Sequence, residues 1–153
     1  MKRLWVVWFA VALVGILTLA GCGGGGSATQ APAGTEASGG QTLDRPEPPA
    51  EYASLTNPVN CDDTANQAGQ QVFSTNCASC HGATGEGDGP AAAALDPKPA
   101  PLAEEQGALT DQYMFWRISE GGQMAPFNSA MPAWKSVLSE DQIWQTICFI
   151  HTF

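Results

Sequence analysis

The chain has 153 residues, 44% hydrophobic and 14% charged, with 6 basic against 15 acidic side chains and a net charge of −9. Such acidity excludes a nucleic-acid binder and a basic membrane-binding face, because phosphate contact needs a cationic surface. It favours basic protein partners instead, and the low charge fraction fits a small folded domain joined to an uncharged spacer.

Lys2 and Arg3 precede an apolar run from Leu4 to Leu19, and Ala20-Gly21-Cys22 follows. The run is shorter than the ~20 residues of a spanning helix and suits an export signal over residues 1–21. Leu19-Ala20-Gly21-Cys22 resembles the lipobox of bacterial lipoproteins, which implies lipidation at Cys22. An uncleaved signal anchor is the alternative, favoured by Trp5 and Trp8 near the start of the run. Either way the domain sits on the outer face of the bacterial cytoplasmic membrane. A chain starting at Cys22 would keep 4 basic and 15 acidic residues, or −11.

Residues 22–60 are rich in Gly, Ala, Ser, Thr and Pro without a period, and are expected to form a flexible tether. The folded domain is then 61–153. This is a size at which a core alone is marginal and a disulfide, metal or cofactor usually helps.

A first helix is expected after Asp62-Asp63-Thr64, where acids and a cap candidate suit the helix start. Its apolar face is Ala65, Ala68, Gly69, Val72 and Phe73. It runs into Cys77-Ala-Ser-Cys80-His81, the C-x-x-C-H attachment signal of c-type haem. Two cysteines three apart can reach the two vinyl groups of one haem, while the next residue presents imidazole to the iron. A redox dithiol and half of a zinc site, completed by Cys148 and His151, are the other readings of this spacing. A Gly- and Pro-rich loop follows over 82–102, with one short turn near Ala91–Leu95.

Thr110 is the expected cap of a second helix, 111–120, stopped by Gly121-Gly122. Ser139 and Gln142 form a capping box for a third, with an apolar stripe of Ile143, Trp144, Ile147 and Ile150. Between them lies Met131-Pro132, where proline holds its neighbour extended, as a strap carrying a sulfur ligand across a haem face must be. Met124 and Met114 are the other methionine candidates. His151 ends the last helix and is read as a dipole partner. Apart from Cys22, Cys77 and Cys80, the cysteines left are Cys61 and Cys148. In an oxidising compartment they suggest a disulfide, the alternative being a buried free Cys148.

The stretches Ala68–His81, Gly85-Glu-Gly-Asp-Gly-Pro90, Phe115–Gly122, Met131-Pro-Ala-Trp134 and Leu138–Trp144 resemble the small monohaem class I cytochromes c of bacteria. The resemblance covers nearly all of 61–153. It implies an all-α fold of three main helices around one covalent haem c, with His81 and Met131 as axial ligands. It further implies that Gly69 and Phe73 meet the last helix near Phe149, and that the Pro90 carbonyl accepts from His81. Trp116 and Arg117 are its preferred propionate donors, with Trp134 and Lys135 as further candidates. Arg117 as a plain solvated charge stays open. The implied function is single-electron transfer without catalysis, between respiratory or photosynthetic partners. The alternatives are a fixed subunit of a larger complex, such as alternative complex III or a terminal oxidase, and a haem-based ligand sensor.

Overall fold

The computed structural model describes residues 45–153. The expected signal, Cys22 and the tether up to residue 44 lie outside the described residues. Among the described residues all regular structure is helical: α1 (Ala50–Ala53), α2 (Asp63–Asn76), α3 (Ala78–His81), α4 (Leu102–Glu105), α5 (Asp111–Glu120) and α6 (Glu140–Ile150). Single 3-10 turns occupy Ala92–Ala94 and Gln106–Ala108. None of these helices is long and apolar enough to cross a membrane.

The three long helices start where their side chains can satisfy the first free N–H groups. Asp62, rather than Thr64, caps α2, its carboxylate accepting from Thr64 and Ala65 N–H at 3.0 Å. Thr110 caps α5 through Tyr113 N–H, and Ser139 with Gln142 closes a reciprocal capping box on α6. Helix α2 buries Ala65, Gly69 and Phe73, four residues apart, against α6. The core joins Phe73 to Met114, Phe115 and Ile118 of α5, to Leu138, and to Ile143, Trp144, Ile147 and Ile150 of α6. Phe115 stacks on Trp144 at 4.3 Å, and Phe73 meets Phe149 at 5.5 Å. Fully burying a side chain such as Phe73 or Ile147 contributes about 1.5–3 kcal/mol.

Residues 45–60 correct the expected boundary of the tether. Their composition reads as coil, but the described part is docked on the domain. Tyr52, Leu55 and Val59 pack against the core cluster. The Tyr52 hydroxyl donates to the Glu120 carboxylate, and Gln112 donates to the Leu55 carbonyl at 2.7 Å. A disulfide joins Cys61 to Cys148 of α6, with 5.2 Å between their α-carbons, and Asn57 lies beside both sulfurs. Average composition hides this because a few apolar anchors and one covalent link are enough to hold a short segment in which about half of the residues stay exposed.

Candidate functional site

A cavity of about 460 Å³ opens between α2, α3, α4, α5 and α6 and the loops that join them. Well-packed interiors hold few voids larger than a water, whose share of liquid volume is ~30 Å³, so this is a built site and not a packing defect. Cys77, Cys80 and His81 line it together. Cys77 joins α2 to α3, and both Cys80 and His81 donate their backbone N–H to the Cys77 carbonyl at 3.0 and 2.9 Å. One helical turn therefore places the two cysteines on the same side. Both thiols are free. The loop after α3 folds back onto the carbonyls of that turn: Gly87 N–H meets His81, Gly89 meets Cys80 and Ala91 meets Ser79 at 2.8–3.1 Å.

His81 Nδ1 lies 3.1 Å from the Ala100 carbonyl. A carbonyl only accepts, so Nδ1 carries the proton and Nε2 keeps the lone pair a metal needs. This corrects the expected partner: Pro90 is exposed and outside the cavity lining, and Ala100 does the work. Ala100 sits between Pro99 and Pro101, whose fixed φ angles hold that carbonyl in place. Burial pushes the imidazole below its ordinary pKa against the Ala100 hydrogen bond, which favours the neutral, ligating form.

Burial, with Cys80 beside it, pushes the Cys77 thiol up to about 12. A redox dithiol needs the opposite shift. The zinc alternative loses its other half, since Cys148 is in the disulfide and His151 is hydrogen-bonded to Asp111 and Gln106.

Met131 enters the cavity lining on a strap pinned to the end of α5. Gly122 N–H donates to the Met131 carbonyl at 2.9 Å, Trp134 N–H to Ile118, and Lys135 N–H to Ser119. Gly121 makes this possible. Its φ of +71° turns the chain, and a β-carbon there would lie 2.7 Å from the Met131 carbonyl oxygen. Met114 of α5 also lines the cavity, whereas Met124 is 40% exposed and outside it.

Of the expected propionate donors, Arg117 and Trp134 line the cavity. Trp116 does not: it is packed against Tyr113 and Phe127 on the flank of α5, and the cavity face of that helix is Tyr113, Met114, Arg117 and Ile118. Lys135 lies outside as well, paired with Glu120. Tyr113 and Arg45 are among the lining residues that the sequence did not single out. Tyr113 was legible, one turn before Arg117 on the same face. Arg45, 68 positions before Tyr113, carried no sequence signal.

These residues fit haem c. They supply two free thiols one turn apart, a neutral imidazole beside them, a thioether on the same cavity and a mostly apolar lining. Arg117 Nη1 is buried with no hydrogen-bond partner, a donor suited to a carboxylate of the group.

The family model described as cytochrome c oxidase, cbb3-type, subunit III matches residues 64–150. Two curated relatives bear the name Cbb3-type cytochrome c oxidase subunit FixP. The one from Rhizobium meliloti (strain 1021) is 34% identical and that from Sinorhizobium medicae (strain WSM419) is 30% identical, each over 92 residues. That stretch is 56% of this chain and 27% of each relative, so the chain spans about a quarter of their length. A chain of the Kuenenia stuttgartiensis reducing HAO-like protein complex shares the fold, with a TM-score of 0.54 and 22% identity, covering 71% of this chain and 50% of its own. With its family match running over more than half of its length, the chain belongs to the cbb3-type cytochrome c oxidase subunit III family and carries covalently bound haem c.

Proposed function

We propose that this chain is a membrane-tethered monohaem electron carrier on the outer face of the bacterial cytoplasmic membrane, with His81 and Met131 as axial ligands. The observation that carries the reading is one cavity lined by Cys77, Cys80, His81 and Met131. The haem supplies a one-electron iron couple. Cys77 and Cys80 would hold it covalently, and the Ala100 carbonyl, by accepting from His81 Nδ1, leaves Nε2 with the lone pair that would bind the iron. The soft sulfur of Met131 favours reduced iron and raises the potential. The apolar lining excludes water. His81 and Met131 would together hold the iron and leave no position on it for a substrate, so the chain would act as a carrier rather than an enzyme. Lipidation at Cys22 would supply the tether, and the acidic surface suits basic docking patches on respiratory partners.

The relatives' names favour a second reading, a fixed subunit of a membrane oxidase. Isolation of the full chain from its native membranes in mild detergent separates the two. A mobile carrier runs alone, with low-spin spectra in both oxidation states and no rapid carbon monoxide binding. A fixed subunit co-migrates with membrane partners in constant ratio. A high-spin spectrum with rapid carbon monoxide binding would overturn the His81/Met131 assignment and favour a ligand sensor.

A further inference from the structure

Arg45 precedes every helix of the described domain, yet its guanidinium lies on the cavity wall. Nη1 donates to the Tyr113 hydroxyl at 3.3 Å, Nη2 pairs with Glu105, and the side chain is 28% exposed. Arg117 reaches the same wall from α5, one turn after Tyr113. Its Cζ sits 3.3 Å from the Phe127 ring centroid, and its buried Nη1 has no partner. Burial lowers the Arg117 pKa, and the positive charge of Arg45 lowers it further against the opposing pull of Tyr113. Lys98 lines the cavity as well, its Nζ spent on the Ala92 and Ala93 carbonyls. Among the described residues the lining thus holds three constant cations, Arg45, Lys98 and Arg117, against the single carboxylate of Glu105. Two guanidiniums gathered in a mostly apolar wall are costly unless an anion joins them. Haem brings two carboxylates.

We propose that Arg45 is a haem-binding residue, holding a propionate together with Arg117, so that the docked segment 45–60 forms part of the haem site. Guanidinium is suited to this because its fork presents donors to a carboxylate while Tyr113 and Glu105 fix its orientation. The inference rests on the haem reading of the cavity, which a pyridine haemochrome of the wild-type chain tests separately.

The experiment is a potentiometric titration of the full-length holoprotein from mildly acidic to mildly alkaline pH, for wild type, R45Q, R45K, E105Q and R117Q. Removing the Arg45 charge lowers the reduced-to-oxidised ratio at a fixed potential roughly threefold, about 30 mV for a one-electron couple. In R45Q the propionate inflection in the potential–pH curve moves to higher pH, and R45K restores part of both effects. E105Q leaves the propionate as the guanidinium's sole anionic partner and moves the inflection to lower pH, a readout that stands even where R45Q fails to load haem. Wild-type potential and inflection in the Arg45 and Glu105 variants, beside an R117Q variant that shifts both, would overturn the proposal and leave Arg45 as a partner of Glu105 and Tyr113 only. In that event a positive haemochrome would show that only this inference had failed.

Discussion

Gly69 of α2 stands so close to α6 that a β-carbon there would lie 1.9 Å from the carbonyl oxygen of Gln145. The two helix backbones touch at this point, and Phe73 and Phe149 close over it one turn on. Helix α2 leads directly into the Cys77–His81 turn, so the contact sets where the haem cysteines stand. Gly69→Ala forces a β-carbon against the α6 backbone, which cannot relax by a rotamer change. We expect a loss of about 3 kcal/mol and a fall in Tm of roughly 10–20 °C in thermal unfolding. An unchanged Tm would mean that the helices part without cost.

The methionines separate by position. Met131→Ala should remove the methionine–iron absorption band, lower the potential and let carbon monoxide bind the reduced form. Met124→Ala should leave the spectrum unchanged, since that side chain is exposed and off the cavity. Met114→Leu should keep the band while shifting the haem environment slightly. A band that survives Met131→Ala but not Met114→Leu would move the ligand to α5.

The disulfide Cys61–Cys148 closes a loop with a sequence separation of 87 residues and ties the docked segment to α6. Removing a native bridge of this kind costs about 2–5 kcal/mol. The double variant Cys61→Ser, Cys148→Ala should melt roughly 10 °C or more below wild type while keeping its low-spin spectrum. Loss of the spectrum with an unchanged Tm would contradict the placement of the bridge away from the cavity.

Tyr52 couples the docked segment to α5 in a way that pH can read. Burial, and then the hydrogen bond to Glu120, hold its phenol up to about 12. The folded value exceeds the ordinary value of 10, so this contribution to stability is fully present below pH 10 and is lost as pH rises through about 12. Glu120 runs the other way. Lys135 and then Tyr52 hold its carboxyl low, so its contribution is lost as pH falls through that depressed value. A near-ultraviolet tyrosinate titration of wild type minus Tyr52→Phe should show one phenol ionising near 12. A difference curve centred at the ordinary value would mean that the segment is not docked.

Much of the site could be read before any fold was known. The Cys77–His81 spacing is covalent chemistry on one helical turn, and the caps at Thr110 and Ser139 and the Gly69–Phe73 face obey helical periodicity. Each of these rules acts within a few residues, so local order carries them. Contacts between distant segments were decided only when the chain closed on itself. Which carbonyl meets His81 depends on how a proline-rich loop returns, and it returns with Ala100 rather than Pro90. Which tryptophan faces the cavity depends on the rotation of α5 about its own axis, and that rotation turns Trp116 aside while Trp134 arrives on the methionine strap. Arg45 reaches Tyr113 across 68 positions of sequence because Tyr52, Leu55 and the disulfide dock a segment whose composition alone reads as coil. Hydrophobic pattern and motif spacing specify the three long helices and the Cys77–His81 turn. The direction in which a solvated loop or a spacer folds back is set by a handful of long-range contacts, and those exist only in the tertiary structure.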